Sequence, residues 1–290
     1  MANTIMNKFT LYSFAGSQWA GVAHLTLAEK GYDKSQYDVK EIDLITAKNF
    51  EPDYLAINPN GTIPSLTSPA LSKPLIESAD ILKYLNQSHP SFGPELIPTD
   101  PIILNRMKEL IDLVHSKDVD TNLILLQARD KTEMDDKRGS IWKTFLANRQ
   151  AKLDQYSASL PAHPFYGPKS LENSHVNKLY NTEIGPDHEA FFDLTHDMYR
   201  RFAAGMERLE SLLMLPYAAG TEVTAADLHI VPWLAHAMWG AGGVEVAGFE
   251  PLEKLIGKTV SGFKVGPRTR EWWVNFGKRE SFKGIFPILH

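Results

Sequence analysis

Hydrophobic and polar positions follow two different periods up to residue 90. Residues 8–14 and 37–44 alternate as strands do, and residues 21–30 place their apolar side chains on one side of a helix, with Gly31 suited to end it. A strand, a helix and a strand in that order predict a βαβ unit with parallel strands. Further segments predict a helix, two strands and a helix, at residues 52–57, 63–67, 74–76 and 78–86.

Beyond residue 100 the periodicity is almost entirely helical. Residues 91–100 are rich in proline and predict a linker. Repeated proline and glycine between residues 160 and 189 predict a long irregular connection. The outline is a small α/β domain over residues 1–90 and an all-helical domain over residues 101–290. The helical patterns lie at residues 102–127, 141–160, 189–215, 224–239 and 269–278.

The composition excludes several kinds of chemistry. The 290 residues contain no cysteine, so any thiol chemistry needs a thiol from another molecule. The net charge of −5 gives no basic surface, so we expect no nucleic-acid partner. The histidines lack the spacing of a zinc site, and we expect no metal. Residues 1–10 lack a signal-peptide core and the apolar residues 225–246 include charged side chains, so we expect a cytoplasmic protein without a membrane span.

Three features of the α/β domain suit a small thiol-bearing anion. A cis Ile63-Pro64 bond would free the Ile63 backbone for an extended peptide, although an ordinary turn proline explains the same pattern. Ser78 is a good N-cap whose helix start attracts a carboxylate, and Glu77 suits an ammonium group, although simple capping also explains the pair. The Ser17 hydroxyl can stabilise a bound thiolate or merely cap the first helix, with Ser13 as a weaker rival.

These features, in this order, resemble the glutathione S-transferase family. Leu11-Tyr12, Ser17-Gln18 and residues 27–30 resemble its theta- and phi-like serine classes, and residues 58–64 match its Asn-Pro-x-Gly-x-(Val/Ile)-Pro segment. Glu77-Ser78 matches the pair that holds the γ-glutamyl end of glutathione. The resemblance implies a thioredoxin-like domain that binds glutathione, followed by an all-α domain that forms most of the electrophile site.

The resemblance also implies roles for single residues. Ser17 would stabilise the glutathione thiolate, and glutathione would be held by Ile63, Pro64, Glu77, Ser78, Lys48, Thr62 and Asn49. Thr62 stands where the family usually has Lys or Gln to hold the glycine carboxylate, so we expect Lys48, or else Asn49, to supply that contact. Gly21 also departs from the family, because an arginine is common there.

Aromatic residues are candidates for the electrophile pocket, namely Phe14, Trp19, His115 and Tyr199, although packing in an aromatic core explains such residues better. The resemblance also assigns a structural role in the helical part. Thr224 and Asp227 resemble the family's buried capping box, which fixes a core helix and takes no part in the chemistry.

The chain is longer than a typical member of that family. The excess lies at about residues 134–187, which we call the insert, and we expect it to cover the electrophile site. The resemblance implies a homodimeric transferase that conjugates glutathione to a small hydrophobic electrophile in detoxification. A glutathione-dependent lyase, isomerase or peroxidase is one alternative, and a non-catalytic ligand-binding or scaffold protein is another.

Overall fold

The N-terminal part of the chain forms the predicted βαβ unit. A computed structural model describes residues 8–89 and 92–290. Strand β1 (Phe9–Ser13) and strand β2 (Tyr37–Glu41) are parallel, and helix α1 (Gln18–Glu29) connects them. Helix α1 begins three residues earlier than the apolar pattern indicates, because Ser17 occupies the N-cap position.

A short third strand completes the sheet that the described residues form. Strand β3 (Ser65–Thr67) is antiparallel to β1, which gives the order β2-β1-β3. The strand predicted at residues 74–76 is wrong, because only Leu75 bridges to Leu66. Pro74 has no N–H to donate to a ladder, which limits the pairing to this single bridge. Helices α2 (Pro52–Leu55) and α3 (Ser78–Ser88) accompany the sheet.

Ten helices make up the described chain from residue 92 onward. Helix α10 is buried along nearly its whole length, and its residues form much of the largest hydrophobic core. The fold class predicted from the sequence, a small α/β part followed by an all-α part, is confirmed. The ten helices are α4 (Pro101–Val114), α5 (Asn122–Leu126), α6 (Lys131–Arg138), α7 (Ile141–Ser159), α8 (Tyr166–Asn181), α9 (Pro186–Leu212), α10 (Ala225–Gly240), α11 (Glu250–Gly257), α12 (Pro267–Gly277) and α13 (Glu280–Ile285).

The helix predicted at residues 102–127 is interrupted. Helix α4 ends at Val114, a 3-10 turn follows at Lys117–Val119, and α5 begins only at Asn122. The Asp120 carboxylate accepts a hydrogen bond from the Asn122 N–H at 2.9 Å, a local bond that competes with a continuous helix. The interruption also presents the carbonyl of Val119 to the indole N–H of Trp233 on α10, at 2.8 Å.

The long irregular connection predicted between residues 160 and 189 is also wrong. Helix α8 occupies most of it, and Tyr166 and Tyr180 near its two ends are completely buried. Pro168 lies in the first turn of α8, where no intrahelical N–H bond is required of it, so it does not break the helix. The buried tyrosines outweigh the local proline and glycine signals.

Helix α1, which follows Ser17, is fixed from two sides. A Cβ at Gly21 would lie 2.6 Å from the Cβ of Pro232, so α1 and α10 approach as closely as they do only because residue 21 is glycine. At the other end of α1, the buried Glu29 carboxylate accepts from Nε of Arg279 at 2.7 Å and from Nη2 at 2.5 Å. The arginine that is common at position 21 in the resembled family therefore has no room here.

The capping box predicted at the start of α10 is present. Asp227 accepts hydrogen bonds from the backbone N–H of Thr224 at 2.9 Å and of Ala218 at 2.7 Å, and from the indole N–H of Trp272 at 2.8 Å. Asp227 is completely buried, so the three donors replace the water that its carboxylate loses.

Candidate functional site

One cavity of about 470 Å³ brings the two parts of the chain together. The α/β part supplies the beginning of α1, Leu44, Asn49 and residues 61–63. The opposite wall comes from α5, α7 and α8, of which α7 and α8 belong to the insert. The lining residues are Gly16, Ser17, Gln18, Trp19, Leu44, Asn49, Gly61, Thr62, Ile63, Asn122, Leu125, Leu126, Trp142, Phe145, Leu146, Arg149, Lys169, Glu172, Asn173 and Val176.

Ser17 lies at this cavity and Ser13 does not. The Ser17 hydroxyl oxygen accepts from the Ala20 N–H at 3.4 Å, a long bond that leaves its own proton available to a ligand. Ser13 is buried, and its hydroxyl is 2.8 Å from Nε2 of His24. The N-terminus of α1 adds N–H groups and a positive dipole beside Ser17, an arrangement that favours a bound anion.

Hydrogen bonds from two asparagine amides and one tyrosine hydroxyl fix the backbone of Gly61 and Thr62, which line the same cavity as Ser17. Asn49 donates from Nδ2 to the carbonyl oxygen of Gly61 at 2.7 Å, while Asn58 and Tyr54 donate to the carbonyl of Thr62 at 2.8 and 2.6 Å. The Ile63-Pro64 peptide bond is cis. Oδ1 of Asn49 is buried and has no hydrogen-bond partner among the described residues, so it can accept from a donor on a ligand in the cavity.

Other residues of the predicted glutathione site lie apart from this lining. Pro64, Glu77 and Ser78 do not line the cavity, and Lys48 is exposed outside it. Glu77, and not Ser78, occupies the N-cap position of α3, and no side chain caps that helix. The prediction of Ser78 as the N-cap is therefore wrong, because α3 already includes Ser78 as its first residue.

Of the four predicted pocket aromatics, Trp19 lines the cavity. Its indole stacks on His115 with ring centroids 3.9 Å apart, and His115 in turn hydrogen-bonds His229 at 2.9 Å between Nε2 and Nδ1. Burial lowers the pKa of His229 to about 3, so that ring is neutral at physiological pH. Phe14 and His115 are not among the lining residues, and Tyr199 lies in the core beneath the guanidinium of Arg129.

The insert contributes eight lining residues that the sequence analysis did not identify. They follow the helical spacing i, i+3, i+4, i+7 twice, at Trp142, Phe145, Leu146 and Arg149 on α7, and at Lys169, Glu172, Asn173 and Val176 on α8. This spacing places each set on one helix face. The spacing on α7 could have been recognised in the sequence, because a helix was predicted there. On α8 it could not, because the proline and glycine residues predicted an irregular segment and no helix.

Helices α7 and α8 are attached directly to the α/β part. Asn148 donates from Nδ2 to the carbonyl of Ile45 at 3.0 Å, and the Tyr166 hydroxyl donates to the carbonyl of Phe50 at 3.0 Å. Phe165 lies against Gly61. These contacts hold the wall of the cavity over the segment that carries Asn49 and Thr62.

A second cavity of about 660 Å³ lies near Glu29 and Arg279. These two charged side chains already form an ion pair with each other, so the cavity offers no free charge from them to a ligand.

Across residues 8–89 and 92–290, no cluster of three or more metal-ligating side chains is found. None of the helices in these residues is long and apolar enough to cross a membrane.

Comparison with known proteins gives a match to one family model and matches to individual relatives. Residues 11–95 match the family model of the glutathione S-transferase N-terminal domain. Glutathione S-transferase Z1 of Arabidopsis thaliana is 34% identical over 34% of this chain and 42% of its own length. Maleylacetoacetate isomerase of Pseudomonas aeruginosa is 32% identical over 36% of this chain and 47% of its own length. These alignments therefore cover less than half of either relative.

A solved structure matches over almost the whole chain. Beta-etherase LigF from Sphingobium sp. strain SYK-6 superposes with a TM-score of 0.64, covering 96% of this chain and 98% of that one, at 19% sequence identity. At this identity the match shows the shared fold of both parts of the chain and nothing further about the site.

Proposed function

We propose that this chain, whose residues 11–95 match the glutathione S-transferase N-terminal domain and whose whole length shares the fold of a solved beta-etherase, is a glutathione transferase. Its substrate would be a small hydrophobic electrophile. One observation carries the proposal: Ser17, Asn49, Thr62 and Ile63 line a single cavity whose opposite wall includes six apolar side chains. Polar groups that suit a peptide thiol thus face a surface that suits an apolar second substrate.

The chemistry uses a thiol that the protein itself lacks. Ser17 donates a hydrogen bond to the glutathione sulfur, and the N-terminus of α1 favours the anionic thiolate, so both lower the pKa of the bound thiol. The thiolate sulfur then forms a bond to the electrophilic carbon, and the leaving group departs with its bonding electrons. The side chains of Leu126, Phe145 and Val176 hold the electrophile and exclude water from the thiolate.

A second candidate function is a glutathione-dependent isomerase or lyase. It is supported by two of the matched proteins, which are the maleylacetoacetate isomerase of Pseudomonas aeruginosa and the beta-etherase of Sphingobium. In such reactions the same thiolate would attack the substrate, and the products would differ only in how the adduct breaks down. Mass spectrometry of the products distinguishes a stable glutathione conjugate from an isomerised or cleaved substrate.

Isothermal titration with glutathione followed by a thiol-conjugation assay tests the proposal. We expect one glutathione site per chain and turnover of a generic aryl halide such as 1-chloro-2,4-dinitrobenzene. Absence of glutathione binding would contradict the proposal and favour a scaffold protein. Binding without conjugation of any electrophile would favour a ligand carrier or the isomerase and lyase chemistry.

The quaternary structure and location form the remaining part of the proposal. The family resemblance supports a homodimer and a cytoplasmic protein that functions in detoxification. Sedimentation velocity of the purified chain measures its mass directly, and a monomer at micromolar concentration would contradict the dimer.

A further inference from the structure

Arg149 is a cation on the cavity wall that the transferase chemistry described above does not use. It lies on α7, in the insert, and lines the same cavity as Ser17 and Thr62. Two aromatic rings hold its guanidinium, with the Cζ atom 4.3 Å from the ring centroid of Phe50 and 4.9 Å from that of Phe145. These contacts fix the guanidinium plane without using its N–H donors.

The donors of Arg149 have no acceptor in the part of the chain that the structure describes. No carboxylate, carbonyl or hydroxyl of the described residues forms a hydrogen bond or an ion pair with this guanidinium. Glu172, which lines the same cavity, forms its ion pair with Nζ of Lys169 at 2.8 Å, and it acts on Arg149 only through its charge, which raises the pKa of Arg149 and opposes the effect of burial. By contrast, the buried Arg129 is paired with Glu133, and the half-buried Arg279 is paired with Glu29.

A half-buried cation without a partner is unfavourable unless a ligand supplies the counter-charge. Burial lowers the pKa of Arg149 to about 10, which leaves the guanidinium charged at neutral pH. Its free donors can form a two-point contact with a carboxylate, which a lysine ammonium cannot do.

We propose that Arg149 binds a carboxylate group of a ligand in this cavity. The inference rests on the proposed function and extends it, because the insert then supplies a binding group as well as an apolar wall. Thr62, where the resembled family usually has Lys or Gln, lines the same cavity, whereas the expected substitute Lys48 lies outside it. The carboxylate comes either from the glycine end of glutathione or from an acidic second substrate.

Binding measurements on Arg149→Gln and Arg149→Lys test the inference for glutathione. Titration uses glutathione and its glycine monoethyl ester, which lacks only the carboxylate charge at that end. If Arg149 holds this carboxylate, Arg149→Gln raises the Kd for glutathione about tenfold or more and leaves the Kd for the ester unchanged. Arg149→Lys, which keeps the charge without the planar fork, gives an intermediate Kd and serves as the test if the glutamine variant does not fold.

A pair of electrophiles tests the other source of the carboxylate. If the second substrate supplies it, Arg149→Gln lowers kcat/KM about tenfold or more for 4-chloro-3-nitrobenzoate and leaves the methyl ester of that compound unaffected. The control for both assays is Lys143→Gln, which removes an exposed cation of the same helix. Its values should equal those of the wild type.

The two proposals fail in different ways. If wild-type protein binds glutathione but Arg149→Gln binds both acids and both esters as the wild type does, the carboxylate role of Arg149 is overturned and the transferase proposal stands. If wild-type protein binds no glutathione, the transferase proposal fails. Direct titration with the benzoate and its ester then decides on Arg149 alone.

Discussion

Phe165 of the insert lies directly over Gly61 of the α/β part. A Cβ placed at Gly61 would be 2.8 Å from Cζ of Phe165, and the backbone of Gly61 has a φ of +61°. Steric space and backbone conformation thus demand glycine at the same position. The contact joins the cavity wall to the segment that precedes Thr62.

Gly61→Ala should therefore destabilise the protein and impair ligand binding together. The left-handed conformation alone costs an alanine about 1–2 kcal/mol, and displacement of Phe165 adds to this. We expect a lower urea midpoint and a higher Kd for glutathione. The matched control is Gly284→Ala, because this exposed glycine of α13 has nothing near its Cβ position and should be neutral or gain up to about 1 kcal/mol. Equal stability of the two variants would contradict the role of the contact.

Replacing Ser17 and Ser13 separately should distinguish the two serines. Ser17→Ala removes the only hydroxyl proposed to face the sulfur, and we expect kcat to fall by about 10²–10³ while the Kd for glutathione stays nearly unchanged. Ser13→Ala should lower stability and leave kcat unchanged, because Ser13 is buried against His24. Steady-state kinetics and calorimetric titration measure both quantities. The reverse pattern would transfer the role to Ser13.

A larger side chain at Val176 should change the choice of electrophile. Val176 lies on the wall that α8 contributes to the cavity, so Val176→Phe reduces the space available there. We expect kcat/KM to fall more for bulky electrophiles than for small ones, with glutathione binding retained. Leu171→Phe is the control, because Leu171 is 75% exposed on the same helix. Identical profiles for the two variants over a series of aryl halides would show that the insert does not shape substrate choice.

Glu133 should contribute a defined part of the acid sensitivity of the fold. Burial raises the pKa of Glu133, but hydrogen bonds from Arg129 and Lys258 outweigh this effect and hold the pKa at about 2. The unfolded chain, with an ordinary glutamate pKa of about 4.3, binds the proton more readily than the folded chain does. The stabilisation is therefore fully present above about pH 5 and is lost as the pH falls through about 4.3 towards 2.

Glu133→Gln should remove this pH dependence. We expect the free energy of unfolding of the wild type to lose roughly 2 kcal/mol more than that of the variant between pH 5 and pH 2.5. At pH 7 the variant should be less stable, because Arg129 keeps its charge without its partner. Urea titrations across this pH range check both points. Glu280→Gln, at an exposed surface pair with Lys283, should follow the wild type.

The sequence by itself determined the α/β part. Alternation in residues 8–14 predicted β1, because a half-buried strand shows its burial as a period of two, and β1 alternates in this way. Alternation in residues 37–44 also predicted β2, although that strand is largely exposed and its pattern does not reflect burial. The position of Ser17 before the first helix also followed from local pattern, since capping depends on residues near each other in sequence. Helices α7 and α8 of the insert line one wall of the cavity, and the expectation that the insert covers the electrophile site stays a prediction.

Only the tertiary structure decided what the cavity contains. Helix α8 forms despite its proline and glycine because Tyr166 and Tyr180 are buried against distant segments, which no local signal reveals. Arg149, exposed to a solvent face in any isolated helix, becomes a cavity residue only because α7 is held against Ile45 and Phe50. Conversely, Lys48 and Tyr199 have suitable chemistry but lie outside the cavity. Local periodicity determines where most helices and strands form, whereas contacts between residues about a hundred positions apart determine which side chains line the cavity.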